Sequence, residues 1–404
     1  MDIFIGRQPI FDHHLNVYAY ELLFRSHGDE ENANVIDGDR ATSQVMLNTF
    51  ADIGLDRLVG KYRAFINLTQ FFLEQPERVV IPPGQVVLEV LEDVNPDEQV
   101  IETLTTLKAQ GHTIALDDFI YSENLQPLVS LADIIKIDIM ALSRSEIKDH
   151  VSQFKRKNIK LLAEKVETYE EFEFLKTLEF DYYQGYFFAK PTVVQGKGLE
   201  SNQVSVLRLV NKINEPDLDV VELSAIIKTD VALSHKILKF INSPASGIRT
   251  KIDSIQRAVI FLGLSTIKNW ISLIALTSVS KKPNELSKMA LVRARTCEQL
   301  ARKSGRAKPE SYFTIGLFST LEAMLDLPLE EILEELPLSE ELKLALLNGR
   351  GHLGSALKCV YAMEENDVSR IEFGGLTLAE LSELYLDSTF WADQQVKSIS
   401  LSEV

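Results

Sequence analysis

Only two cysteines, Cys297 and Cys359, occur in 404 residues. Neither has a neighbour at metal-ligand spacing, so a zinc site and a disulfide framework are both set aside. Structural thiols in a reducing cytoplasm are the expectation. Basic charge is also short: 42 Lys and Arg stand against 59 Asp and Glu, a net charge of −17. Double-stranded nucleic acid needs concentrated positive charge and is not expected as a partner. An anionic ligand would have to be held by a local basic group or by a metal. No apolar run approaches the roughly eighteen residues of a membrane span, so no membrane association is expected. The start, Met1–Arg7, carries Asp2 and no long apolar region, which does not read as a secretion signal and fits a cytoplasmic location. No Gly-x-Gly-x-x-Gly follows the first strand-like run, which argues against an open dinucleotide-binding sheet. Internal repeats, low-complexity segments and any His-Asp dipeptide are missing too.

What is present is an ordinary globular balance, 45% hydrophobic and 25% charged, over a length that suggests about two or three domains. From Phe4 to about Pro191, strand-like and helix-like runs alternate. Val17–Tyr20 reads as a strand leading into Glu21. Arg40–Leu55 reads as a helix with Val45, Met46, Phe50 and Ile53 on one face. Asp97–Gln110 is amphipathic, with Gly111 where a C-terminal cap belongs. Val151–Asn158 and Tyr169–Leu178 read as the next helices. Such alternation predicts βαβ units and a parallel sheet, and about seven repeats favour closure into a barrel. Arg7-Gln8-Pro9-Ile10 reads as a simple turn, with a ligand contact from Arg7 or Gln8 as the alternative. Thr192–Gln203 is polar and reads as a linker. Beyond it the pattern is helical: Val204–Ile213, Val220–Thr229, Val231–Asn242, Ile252–Leu262, Ser265–Val279, Leu286–Ser304, runs on to Asn348, then Ser355–Asn366 and Leu376–Leu386. The expected fold is α/β plus all-α: a TIM-like (β/α) barrel over residues 1–195 and a helical domain over 196–404.

Six apolar segments of the first half end in a residue able to bind a metal or a phosphate. Arg63–Ile66 runs into Asn67, Val86–Leu88 into Glu89, and Thr113–Leu116 into Asp117 and Asp118. Ile134–Ile135 runs into Lys136, with Asp138 following; Leu161–Ala163 runs into Glu164, and Asp181–Tyr183 into Gln184. A carboxylate or amide buried alone at such a place is strongly disfavoured. When several strand ends supply one, a shared cation at the mouth of a barrel is the natural partner. Taken singly, each is more simply a cap or surface residue, and Lys136 with Asp138 an ordinary ion pair.

In order, these residues resemble the motifs of the EAL domain family, which hydrolyses or binds cyclic di-GMP, over residues 3–191. The signature stretch appears as Glu21-Leu22-Leu23-Phe24-Arg25, followed by Phe65-Ile66-Asn67, Leu88-Glu89-Val90, Asp117-Asp118-Phe119, Lys136-Ile137-Asp138, Ala163-Glu164-Lys165-Val166-Glu167-Thr168 and Gln184-Gly185-Tyr186. The resemblance implies phosphodiester hydrolysis with two divalent ions roughly 3.5–4 Å apart. Glu21, Asn67, Glu89 and Asp117 would hold the first ion, and Asp117 and Asp118 the second. All are hard oxygen ligands, which suit Mg²⁺ or Mn²⁺. Lys136 would steady the attacking water and a phosphate oxygen, Glu164 would be the general base, and Gln184 would orient the water or a metal ligand. Arg25 would clamp phosphate, with Leu23 and Asp138 contacting the nucleotide or supporting a loop. Three departures stand out: Leu22 for Ala, Lys165 for Gly, and Ile120-Tyr121-Ser122-Glu123-Asn124 where the family carries a glycine-containing loop. Glu92, the family's anchor for that loop, is present.

Residues from about 204 to 390 resemble the HDOD family, relatives of HD-type phosphohydrolases without their metal ligands. The matching stretches are Leu223–Asp230, Ile237–Ser243 and Ile255–Val259 running on to Phe261–Leu264. Where an HD enzyme needs its His-Asp pair, this chain has Gly316-Leu317-Phe318-Ser319-Thr320, and a hydroxyl pair cannot form the core of a metal site. His235 and His352 read as surface or satisfied core residues. The resemblance implies a bacterial EAL–HDOD signalling protein. Its barrel would convert cyclic di-GMP to the linear dinucleotide, and its helical half would act on a protein partner; a homodimer is compatible with it. A receptor without turnover and an adaptor without nucleotide are the alternatives.

Overall fold

The apolar runs of the first half form the strands of one closed barrel. The computed structural model describes the chain apart from residues 1–2, 27–53, 69, 75–82, 93, 120–124, 156–158, 191–200, 216, 230, 243–251, 253, 281 and 401–404. Among the described residues the strands are β1 (Ile3–Asp12), β2 (Val17–Ser26), β3 (Arg63–Leu68), β4 (Val86–Val90), β5 (Thr113–Leu116), β6 (Ile134–Asp138), β7 (Lys160–Glu164) and β8 (Tyr182–Gln184). They follow one another around the ring in chain order, and β1 pairs with β8 to close it. From β2 to β8 each pair is parallel, but β1 is antiparallel to both of its neighbours.

That corrects the expectation of a purely parallel sheet, and it places Arg7–Ile10 inside β1 rather than in a turn. The cause is local. Asp12 Oδ1 accepts from the backbone N–H of His14 (2.8 Å) and of Asn16 (2.9 Å), and Leu15 takes φ 61. The chain therefore reverses in a tight turn instead of crossing over through a helix. β2 also continues past Glu21 to Ser26, so Glu21 lies within its strand.

The helix Tyr169–Thr177 forms where expected, behind a reciprocal cap in which Glu171 N–H donates to Thr168 Oγ1 (3.1 Å) and Thr168 N–H to Glu171 Oε2 (2.9 Å). The helix predicted from Val151 instead spans Arg144–Lys155, because Ser143 and Glu146 exchange hydrogen bonds at its start. Residues 40–53 of a predicted helix, 192–200 of the predicted linker and the loop 120–124 lie outside the described residues.

One side chain from every strand fills the barrel: Ile10, Ala19, Phe65, Val87, Ala115, Ile134, Leu162 and Tyr182. Large and small residues in this layer interdigitate, as barrel interiors require.

Immediately after β8, Gly185 has φ 146, and a Cβ there would stand 2.0 Å from the carbonyl oxygen of Val166. Backbone cannot yield to that overlap cheaply. Gly185→Ala is expected to lower the denaturant midpoint by the equivalent of about 3 kcal/mol or more. An unchanged midpoint would show that β8 can shift away from Val166.

The chain forms two compact units, Met1–Phe187 with Glu364–Val368, and Phe188–Met363 with Ser369–Val404. In the second unit every described element is helical. Its long helix Asn284–Lys303 packs against Pro309–Phe318 and Leu378–Ser400. A Cβ on Gly316 would lie 2.4 Å from Arg293 O, so only glycine permits the first of these crossings. Ser319 Oγ donates to Gly316 O (2.7 Å) and accepts from Arg293 Nη1 (3.2 Å), and Thr320 Oγ1 donates to Leu317 O (3.1 Å). The hydroxyls at the place of a His-Asp pair are thus engaged by nearby backbone carbonyls and by Arg293. His352 is exposed, its Nε2 3.4 Å from Arg306 Nη1, while the side chain of His235 lies outside the described residues. Both cysteines are buried, and burial pushes the Cys359 thiol up to about 12, in keeping with structural thiols. No described helix is long and apolar enough to cross a membrane.

Candidate active site

Members of the barrel's filling layer are followed two residues later by a polar one: Ala19 by Glu21, Phe65 by Asn67, Val87 by Glu89, Ala115 by Asp117, Ile134 by Lys136, Leu162 by Glu164 and Tyr182 by Gln184. In the reversed strand β1 the same level is reached two residues earlier, at Gln8 from Ile10. A strand turns alternate side chains to one face, so this polar ring is the next layer of the barrel interior. Strand register sets Gln8 opposite Glu21 and Asn67 opposite Glu89, whereas the stagger of the barrel sets Glu21 opposite Phe65, Glu89 opposite Ala115, Lys136 opposite Leu162 and Gln184 opposite Ile10. Asp138 stands one step further along β6, opposite Glu164.

Lys136 occupies the middle of the ring with 0% exposure. Its Nζ lies 2.6 Å from Glu89, 2.6 Å from Asp117, 2.9 Å from Glu164 and 3.6 Å from Glu21. Burial by itself would lower the lysine pKa, but the facing carboxylates, Glu164 and Glu21 foremost, hold it well above the ordinary range. Burial raises Glu89 well above a normal carboxylic acid despite Lys136. It pushes Glu164 up to about 8, again against the pull of Lys136. Gln184 Nε2 donates to Glu21 Oε2 and to Gln8 Oε1 (3.0 Å), so it orients Glu21. At the rim, Lys165 hydrogen-bonds Asp138 and lies 3.6 Å from Asp118 Oδ2.

One ammonium among four carboxylates leaves excess negative charge in a buried place, which calls for a further cation. Buried oxygens await one: Asn67 Oδ1, Glu89 Oε2, Asp118 Oδ1 and Glu164 Oε2 receive no hydrogen bond. Asp117, Asp118 and Glu164 each offer an oxygen within 4.8 Å of the others. Every donor is a hard oxygen, so the residues fit Mg²⁺, Mn²⁺ or Ca²⁺ better than zinc. A 160 Å³ cavity bordered by Glu92, Asp117, Asp118 and Phe119 lies beside the aspartates.

Of the other residues singled out by sequence, Leu23 is half-buried in β2 opposite Gly6, and the side chain of Arg25 lies outside the described residues. Arg7 donates to Leu58 O (2.8 Å) and lies over the Tyr20 ring. Sequence reasoning did not place Gln8 in the ring, although its spacing from Ile10 in a reversed strand would have done so. It also assigned Glu164 only as a base, whereas the geometry sets it among the potential cation ligands.

The EAL domain family matches residues 8–191, and the HDOD domain family residues 199–333. YuxH of Bacillus subtilis (strain 168) is 36% identical over 97% of this chain and 98% of its own. The chain belongs to the EAL–HDOD family. Another relative, cyclic di-GMP phosphodiesterase CdgJ of Vibrio cholerae, is 33% identical over 91% of this chain and 86% of its own. Among solved structures, the manganese/cy-diGMP complex of Klebsiella pneumoniae BlrP1 is similar at 25% identity and a TM-score of 0.39, covering 46% of this chain and 55% of that one.

In the EAL–HDOD barrel the raised Glu164 has a thermodynamic consequence. Its folded-state pKa exceeds the unfolded value, so the folded state holds the proton more tightly. The stability this contributes is full below the unfolded pKa and is lost as pH rises towards about 8. In chelator, the melting temperature of the wild type should therefore fall more steeply between about pH 5 and about pH 8 than that of Glu164→Gln. Equal slopes in a thermal scan would show that Glu164 ionises without penalty.

Proposed function

We propose that this EAL–HDOD protein hydrolyses cyclic di-GMP to the linear dinucleotide with divalent metal, residues 1–195 forming the nucleotide domain and 196–404 an interaction domain that acts on a protein partner. Membership of the EAL family and a phosphodiesterase-named relative support cyclic di-GMP hydrolysis. The observation that carries the reading is the polar ring itself: four carboxylates around buried Lys136, with buried oxygens of Asn67, Glu89, Asp118 and Glu164 that receive no hydrogen bond.

Glu21, Asn67, Glu89 and Asp117 would hold one divalent ion, and Asp117, Asp118 and Glu164 a second. Such ions, when bound, supply charge neutralisation at the phosphate and a more acidic water. The remaining work falls to the chain. Water oxygen bonds to phosphorus, the ribose P–O bond breaks, the water's proton passes to Glu164, and the leaving oxygen is protonated from solvent. Lys136 has no exposed surface, so it is a positioning residue: it gathers the acids around one ammonium rather than touching phosphate. Gln184 fixes Glu21 and is itself anchored by Gln8. Arg25 is the proposed phosphate clamp, with Leu23 and Asp138 at the nucleotide's edge. In the helical domain, internally satisfied Ser319 and Thr320 support an interaction role over a second hydrolase.

Purified full-length protein incubated with cyclic di-GMP and Mg²⁺ or Mn²⁺ should release the linear dinucleotide, and excess EDTA should stop it. Saturable binding without product would establish instead a receptor, a reading that the Lys165–Asp118 ion pair favours. No binding at micromolar nucleotide would leave an adaptor.

A further inference from the structure

Two lysines serve the carboxylate cluster, and they differ in kind. Lys136 is sealed in, whereas the side chain of Lys165 is 50% exposed and free to leave. Lys165 nevertheless reaches inward, hydrogen-bonded to Asp138 and 3.6 Å from Asp118 Oδ2. It does so from a strained backbone. Lys165 has φ 56, and Asp118 itself has φ 40. A side chain in that left-handed region costs about 1–2 kcal/mol that glycine would not incur. Strain of this kind persists only where the surrounding structure enforces it, and two such residues, Asp118 and Lys165, face each other here.

We infer that Lys165 competes with a divalent cation for the Asp118 carboxylate, so that one of the two metal positions fills only at higher ion concentration than the other. The inference rests on the metal-dependent reading of the site. Asp118 belongs to the Asp117–Asp118–Glu164 group, and its other oxygen, Oδ1, is buried without a hydrogen bond. An ammonium and a divalent ion cannot share one carboxylate without mutual repulsion. Because Lys165 is displaceable, occupancy of this position, and with it turnover, follows the ion concentration over a range where the position nearer Glu21 and Glu89 is already filled. A merely structural Lys165 would tie Asp138 to the end of β7 and leave ion binding alone.

The test is a Mn²⁺ titration of the full chain without nucleotide, reading free Mn²⁺ by electron paramagnetic resonance. Lys165→Asn and Lys165→Gly both remove the charge and both tolerate positive φ. Either should tighten the weaker site about tenfold and leave the stronger one unchanged, while Lys165→Arg keeps the wild-type isotherm. In an Asp118→Asn background the same substitutions should have no effect. Unaltered weak-site affinity in both Lys165→Asn and Lys165→Gly overturns the inference. A folded wild type that takes up no Mn²⁺ overturns the metal-dependent reading itself, a result distinct from the first.

Discussion

Glu164→Gln is expected to reduce the rate of cyclic di-GMP hydrolysis by about 10²–10⁴-fold, the span of a positioned general base. The amide keeps the shape of the side chain but cannot accept the water's proton. Glu164 lies 2.9 Å from Lys136 and within 4.8 Å of the Asp117 and Asp118 oxygens, so two roles meet in one group. Rate and Mn²⁺ affinity measured together separate them. A rate loss at unchanged affinity assigns the base. A parallel loss of affinity assigns a ligand. Retained turnover removes Glu164 from the chemistry and shifts proton acceptance to another acid of the ring.

Lys136→Met should be the most damaging substitution for the fold. Methionine keeps an unbranched side chain, one atom shorter than lysine, but leaves Glu21, Glu89, Asp117 and Glu164 facing one another without the cation between them. Breaking a buried ion pair by removing one partner costs about 3–5 kcal/mol. In EDTA near neutral pH, urea unfolding should register a loss of that order. The loss should shrink as pH falls, because protonated acids no longer repel, and also when Mn²⁺ is added, because the metal replaces the missing charge. A variant as stable as the wild type in EDTA would mean that the acids are already neutral, and that Lys136 is not what gathers them.

Much of the site could be read before any coordinates, for a reason visible in its residues. Each parallel strand presents a local signal, an apolar run with a polar residue placed two after an inward-facing one, as in Phe65 with Asn67 or Leu162 with Glu164. Period-two alternation is a property of a few consecutive residues and needs no knowledge of the rest of the chain. The helical half was legible likewise, through its sustained apolar periodicity. β1 was not: Arg7-Gln8-Pro9-Ile10 contains polar and turn-forming residues, and its strand state depends on pairing with β2 on one side and β8 on the other. The start of the helix Arg144–Lys155 was missed although its signal, Ser143 with Glu146, was local.

Residue order alone therefore settled which side chains face the interior and what chemistry they bring: carboxylates, amides and one lysine at the ends of apolar runs. Closure of the barrel decided how they are shared. That Lys136 answers four acids, that Gln184 ties Glu21 to Gln8, that Glu164 joins the two aspartates, and that Lys165 reaches Asp118 all follow from the closing of strands distant in sequence. Coulomb energies and hydrogen bonds depend on separations of a few ångströms, and only the closed ring determines those separations.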